Sequence, residues 1–214
     1  MNRLKYVGLA VLLLAGCGVS KEKYASLEDQ LNSTKAEKDA CNDKLTEVGA
    51  KSQELEKKTQ TYENLVGSLQ QEIKDGKVKI SEMNNRLTVN LIDKIMFDSG
   101  STMIQEEGKA ALSKIADVVK SVEGKRIEVE GHTDNVGLSA GLQKKFATNW
   151  ELSTARAIQV VKFLAQSGVP EEKLSAAGYS MFMPVASNDT PEGKKQNRRI
   201  EIVLVPEVKP QTAQ

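Results

Sequence analysis

Residues 126–137 read RIEVEGHTDNVG, and residues 149–157 read NWELSTARA. In the first stretch Ile127, Val129 and Gly131 alternate with Arg126, Glu128 and Glu130, the period of a half-buried strand. The strand runs into GHTDNVG, which sets the carboxylate of Asp134 just past its end. The second stretch opens a helix. Thr148-Asn149-Trp150-Glu151 is a capping box, with Thr148 as cap and Glu151 reaching back from the third helical position. At about 100° per residue, Trp150, Ala157, Ile158, Val161 and Leu164 share one face of that helix. This is the expected core face. Asn149, Leu152 and Arg156 share another, so Arg156 is expected to point away from the core. An acid at a strand end and a guanidinium on the next helix suit a ligand that carries both an ammonium and a carboxylate.

The flanking sequence completes a small domain. Residues 87–97, LTVNLIDKIMF, are rich in β-branched and apolar side chains and read as a strand, with FDSGS (97–101) as a turn. Ile104, Ala111, Ile115, Val118 and Val122 recur at helical spacing over residues 104–122. Gly168-Val169-Pro170 stops the helix that begins near Asn149. Leu174 to Tyr179 and Arg199 to Val205 read as two further strands, with Ile200, Ile202 and Leu204 on one face of the second. The order βαβαββ predicts an α+β fold, a mixed sheet with two helices packed against it. The domain is expected over residues 88–205, and the polar residues 206–214 form a disordered tail.

Upstream, residues 21–87 hold no proline, and apolar residues recur at alternating spacings of three and four. From Tyr24 through Leu27, Leu31, Cys41, Leu45 and Val48 to Leu87, fourteen of nineteen seam positions are apolar or cysteine. A seam sustained that long predicts a coiled-coil helix over residues 17–87 that gains stability by self-association as a homo-oligomer. Lys38, Ser52 and Gly76 interrupt the seam, and a polar linker with partial helix is the competing reading. Cys41 lies on the seam, either as a small hydrophobe or as a cysteine facing its own copy in a parallel dimer.

Residues 1–16 read as a signal peptide. Arg3 and Lys5 precede an apolar run from Tyr6 to Ala15, about half of the roughly 20 residues a membrane span requires. The run ends Leu14-Ala15-Gly16-Cys17, which resembles the lipobox of bacterial lipoproteins. The resemblance implies lipidation at Cys17, and Gly18 after it implies sorting to the outer membrane.

Composition narrows the function. Charged residues are 28% of the chain, yet the net charge is +1. No basic stripe is present for a nucleic-acid partner. His132 is the single histidine, and Cys17 and Cys41 belong to different segments. A lone His132-x-Asp134 falls short of the three protein ligands of a catalytic zinc site. No GxSxG or phosphate-binding glycine loop occurs. The chain is therefore expected to be no enzyme and to need no cofactor and no metal.

FDSGS, GHTDNVG, NWELSTARA, GYSMFMPVASN and NRRIEI, in this order and spacing, resemble the OmpA-like peptidoglycan-binding domain. The resemblance covers residues 88–205. It departs in a long loop from Gly137 to Ala147, which carries Lys144 and Lys145, and in SMFMP (180–184), which replaces a small-residue turn. It implies a non-covalent ligand, the diaminopimelate of the peptidoglycan stem peptide, whose end carries an ammonium and a carboxylate on one carbon. By motif, Asp134 would take the ammonium and Arg156 the carboxylate, through the planar fork of its guanidinium. Asn149 and Leu152 match further pocket positions, Arg198 an outer contact, and Phe97 and Asp98 the border of the site. Taken alone, Asp134 is also suited to capping a turn. One of Arg198 and Arg199 is expected to be a structural ion-pair partner, and Asn188 and Asn197 to hold turns. The implied protein is a lipoprotein on the periplasmic side of the outer membrane, tethering that membrane to the cell wall. The alternatives are a flagellar stator-type wall anchor or a subunit of an envelope or secretion machine. A stator needs a membrane helix bearing an acid, and residues 4–16 contain no Asp or Glu.

Overall fold

The computed structural model describes residues 20–83, 86–98 and 101–207. Cys17, Ser99-Gly100 of the FDSGS turn and the tail after Glu207 lie outside them. The chain divides into two units, Met1–Glu54 and Leu55–Gln214.

In the first unit the described residues form one helix, the start of α1 (Lys21–Ser68). None of its side chains is buried. Tyr24, Leu27, Leu31, Leu45 and Val48 are each more than three-fifths exposed. A single chain therefore leaves this stripe in water. Cys41 is a free, exposed thiol.

In the second unit the end of α1 turns inward. Leu65 and Leu69 are fully buried in the hydrophobic core, and Ile73 packs against it. Burying each leucine contributes roughly 1.5–3 kcal/mol. The short helix α2 (Gln70–Lys74) ends at Gly76, whose φ is +67°. Gly76 N donates to Ile73 O and Lys77 N to Glu72 O, the paired bonds of a Schellman cap. The heptad reading runs the helix on to Leu87; instead the chain reverses at this glycine and forms a strand, β1 (Val78–Met83). Ile80 and Met83 continue the heptad seam, while Val78 and Ile80 fit strand alternation. What decides between them is the φ that Gly76 adopts freely.

The remaining elements are β2 (Arg86–Ile92), α3 (Asp93–Met96), α4 (Glu106–Val119), β3 (Lys125–His132), α5 (Ala140–Gln143), α6 (Asn149–Gln166), β4 (Leu174–Gly178), α7 (Pro191–Asn197) and β5 (Arg199–Pro206). The sheet order is β1-β2-β5-β3-β4, antiparallel except for the parallel β3–β4 pair. Two helices, α4 and α6, pack beside each other, and α6 lies on β3 and β4. The expected mixed sheet with two helices is present, with β1 as an added edge strand. LTVNLIDKIMF is a strand only as far as Ile92. Asp93–Met96 makes a helical turn, which sets Asp93 beside Arg156 and Arg198 at the end of the sheet.

Two glycines set how closely α6 approaches. Gly131 and Gly178 are register partners on β3 and β4. A Cβ on Gly131 would lie 2.2 Å from Ser153 O, and one on Gly178 would lie 2.1 Å from Thr154 Oγ1. The face of α6 that meets the sheet is therefore made of small residues, with Ser153 and Ala157 followed by Val160 and Leu164. This corrects the projected core face. Trp150 is 47% exposed and Ile158 39% exposed, while Leu152 and Arg156 are buried. The far end of α6 closes on a second Schellman cap at Gly168, where Gly168 N bonds Ala165 O and Val169 N bonds Leu164 O.

Candidate functional site

The start of α6 is fixed as its sequence demands. Trp150 N donates to Thr148 Oγ1 at 3.1 Å, and Thr148 N donates to Glu151 Oε2 at 2.8 Å. One turn on, Ser153 Oγ donates to Trp150 O and accepts from Ser180 N at 3.1 Å. This ties the helix to the loop after β4. Ser180 takes a φ of +53°, and its carbonyl accepts from Thr133 N at 2.8 Å. The β3–α6 and β4–α7 loops therefore meet at Thr133.

Asp134 is buried in this corner. Its Oδ1 accepts from Val136 N at 3.0 Å, a turn closed over two residues, and Arg198 pairs with its Oδ2. Asn149 Nδ2 donates to Val136 O at 3.0 Å, fastening the same loop to the first turn of α6. Asp134 thus caps a turn and carries an ion pair, the two roles its position allows. Its second partner is Arg198, whose side chain is 40% exposed and whose backbone carbonyl accepts from Asp93 N.

Arg156 is 5% exposed, not directed away from the protein interior. Its Nη1 sits 2.7 Å from Asp93 Oδ1, and its Nε donates to Ser101 O at 3.2 Å. The guanidinium lies over the Phe97 ring, 4.9 Å from its centroid, as cation–π packing favours. Phe97 itself is part of the core. The charges are coupled. Burial pushes the Asp93 carboxyl above its ordinary value, and Arg156 and Arg198 oppose that shift. Burial draws the Arg156 guanidinium down, and Asp93 opposes it. Asp93, Arg156, Asp134 and Arg198 form one alternating cluster of two acids and two bases.

Asp93 is the residue that sequence reasoning missed. Leu87, Val89 and Leu91 face the core, and strict alternation would put Asp93 on that same side, so a charge at a core position was the available signal. Leu152 lies one turn before Arg156, buried yet outside the main core cluster. Asp98 is exposed and its carboxylate accepts from Gln105 Nε2 at 2.7 Å, so it braces the turn after Phe97. Arg199 is the structural member of the arginine pair, held by Glu201 Oε1 at 2.6 Å and Asn197 O at 3.2 Å. Asn197 is fully buried. It accepts from Val185 N and Ala186 N and donates to Ala186 O and Asn188 Oδ1, which holds the loop between β4 and α7.

His132 is buried and stacked on Tyr179 at 5.3 Å. It comes together with Glu130 and Glu201, their ligand atoms within 4.8 Å of one another. Arg86 and Arg199 already pair with the two carboxylates at 2.6 Å, so the cluster offers a cation no net negative charge.

A mixed sheet covered by two helices, with an alternating acid–base cluster where β3 runs into the start of α6, defines an OmpA-like domain. Residues 96–198 match the OmpA family, and this part of the chain is an OmpA-family domain. Motility protein B of Bacillus subtilis (strain 168) is 32% identical over 150 residues, covering 67% of this chain and 56% of that protein. Peptidoglycan-binding protein ArfA of Mycobacterium tuberculosis (strain ATCC 25618 / H37Rv) is 39% identical over 93 residues, covering 44% of this chain and 26% of that protein. Among solved structures, the cell wall anchor of the T6SS from Pseudomonas aeruginosa has a TM-score of 0.60 at 32% identity, covering 67% of this chain and 97% of that one. The chain spans little more than half the length of Motility protein B. No described helix is long and apolar enough to cross a membrane.

Proposed function

We propose that this chain binds peptidoglycan non-covalently and holds the diaminopimelate of the stem peptide between Asp134 and Arg156. One observation carries the reading: Asp93, Arg156, Asp134 and Arg198 alternate in sign within a single cluster beside the start of α6. A zwitterion matches such a cluster, because its ammonium and carboxylate each find the opposite charge without leaving a like charge unpaired. Asp93 and Ser101 fix Arg156 through Nη1 and Nε, and Nη2 is the donor we assign to the ligand carboxylate. Asp134, held at Oδ1 by its own turn, receives the ammonium at Oδ2, and the half-exposed Arg198 swings outward to make room. Asn149 and Leu152 line the approach. Phe97 supports Arg156 from below, and Asp98 only braces the turn. The relatives named for peptidoglycan binding and wall anchoring support peptidoglycan as the binding partner.

The rest of the chain fits a tether. Cys17 would carry the lipid, placing the protein at the outer membrane facing the periplasm, and the exposed seam of α1 would close against a second copy. No catalytic step and no cofactor is assigned. Residues 4–16 hold no Asp or Glu, the acid that a stator helix carries, so a wall tether is favoured over a motor subunit. Co-sedimentation with purified sacculi, comparing the wild type with Asp134→Ala, tests the assignment. The wild type pellets with the wall and the variant stays in solution.

A further inference from the structure

Beside the acid–base cluster lies a surface that it does not use. Trp150 and Phe182 stack at 5.3 Å with their planes 24° apart, yet they are 47% and 58% exposed. The stack therefore leaves about half of each residue open to solvent. They border an open groove of about 420 Å³, whose other walls include Gln143, Thr148, Asn149 and Met181. Both rings are held by backbone. The Trp150 carbonyl accepts from Ser153 Oγ and Thr154 Oγ1 at 3.0 and 2.8 Å, and Phe182 N donates to Tyr179 O at 3.2 Å. Two large aromatic side chains kept in water on a rigid frame are unusual without a ligand.

From this geometry we infer that the groove is a saccharide subsite, in which the Trp150–Phe182 platform receives the glycan of the same peptidoglycan molecule. The inference rests on the reading above and adds a second part of the ligand to it. Three observations favour a sugar. The groove is continuous with the site: Asp134 holds Val136, Val136 O accepts from Asn149, and Asn149 precedes Trp150; on the other wall Thr133 binds Ser180, two residues before Phe182. Its lining mixes apolar rings with amide and hydroxyl side chains, whereas an anchor pocket for a protein side chain is closed and dry. A pyranose has that same double character. Its axial C–H groups lie against the electron-rich face of a ring, and its hydroxyl and acetamide groups need hydrogen-bond partners at the rim. The reach also fits. A three-residue stem spans up to roughly 10 Å, so a diaminopimelate seated at Asp134 keeps its sugar beside the neighbouring loops.

Trp150 is the single tryptophan of the chain, so its emission reports on this groove directly. The full chain is titrated with three probes: the diaminopimelate-ending stem tripeptide, the same tripeptide bearing its N-acetylglucosamine–N-acetylmuramic acid disaccharide, and the disaccharide alone. The disaccharide-tripeptide is expected to bind about tenfold tighter than the tripeptide, and to shift Trp150 emission where the tripeptide does not. Trp150→Ala and Phe182→Ala lose that gain and keep the affinity for tripeptide. Trp150→Phe retains part of it, and circular dichroism confirms the fold of each variant. Equal wild-type affinity for the two peptides, or a Trp150→Ala variant that weakens both alike, overturns the platform and leaves the diaminopimelate site standing. If the tripeptide fails to bind while the disaccharide still shifts Trp150 emission, the platform stands and the diaminopimelate site falls. If Trp150→Ala spares every saccharide response and instead abolishes self-association, the surface belongs to a second copy of the chain and the inference is wrong.

Discussion

Arg156 and Asp93 form an ion pair of 2.7 Å with side chains only 6% and 14% exposed. The pair joins α6 to the end of the strand β2, and it places the charge that the proposed ligand would meet on the inside of the fold. Breaking a buried pair by removing one partner costs about 3–5 kcal/mol. Asp93→Ala and Arg156→Ala are each expected to lower stability by about that much in urea unfolding, and the double variant by less than their sum. Additive losses would show that the two side chains do not act as a pair. The off-core placement drawn from the helical projection implies a fold indifferent to changes at Arg156, and burial of the guanidinium reverses that expectation.

Two carboxyls give the pH dependence opposite signs. Burial works to raise the Glu130 carboxyl, but His132 and Arg86 beside it prevail and hold it below its ordinary value of 4.5. The stability it confers is complete above pH 4.5 and is lost as pH falls through its folded value. Burial raises the Asp93 carboxyl above 3.8 despite Arg156. Its ionisation therefore costs stability as pH rises from 3.8 through its folded value. Unfolding midpoints between pH 7 and pH 3 should show a shallower acid loss for Glu130→Gln than for the wild type, and a steeper one for Asp93→Asn. An unchanged slope in Glu130→Gln would remove Glu130 from the acid response.

The close approach of α6 to the sheet is testable at two glycines. Gly131→Ala would place a methyl group 2.2 Å from Ser153 O, while the same change at Gly137 meets nothing within 4 Å. Gly131→Ala should cost at least about 1–3 kcal/mol, as overpacking does, and should displace Asp134 and Arg156 from each other. Gly137→Ala should be nearly neutral. Thermal unfolding of the two variants side by side decides the point, and similar midpoints would contradict the tight contact.

The exposed seam of α1 makes a further prediction. Leu27, Leu31 and Leu45 are 63–67% exposed, and pairing two copies would bury them. A chain beginning at Ser20 should sediment as an oligomer, and Leu27→Ser with Leu31→Ser and Leu45→Ser should sediment as a monomer with an intact second unit. A wild-type monomer at high concentration would favour a solitary helix.

How much of this could be read in advance depends on which residues carried an unambiguous signal. The alternation of Ile127 and Val129, the Thr148–Glu151 capping box and the Gly168 stop all correspond to elements seen in the fold, because each reflects local backbone chemistry. The edge strand β1 is not legible in the pattern, since Ile80 lies on the heptad seam and also alternates with Val78, and only the backbone angle at Gly76 separates the two periods. The helical projection misplaces the core face of α6 because Trp150 and Ile158 are large and apolar. Ser153 occupies the sheet-facing position instead, since Gly131 and Gly178 leave no room for anything larger. Asp134, Arg156, Asn149 and Arg198 come together, but Asp93, which completes the cluster, lies in a segment whose composition reads as continuous strand.

The assignment of the site is tested most directly by the affinity of the wild type, Asp134→Ala and Arg156→Lys for diaminopimelate-containing sacculi, with circular dichroism recorded on each. A charge-assisted hydrogen bond is worth about 1.5–3 kcal/mol, so each substitution should weaken binding by roughly 10- to 100-fold. Arg156→Lys keeps the charge that pairs with Asp93 but loses the planar fork, so its fold should persist while its affinity falls. Sacculi with lysine in place of diaminopimelate should bind the wild type poorly and the Arg156→Lys variant no worse. Unchanged affinity of the folded Asp134→Ala and Arg156→Lys variants for diaminopimelate-containing wall would contradict the assignment.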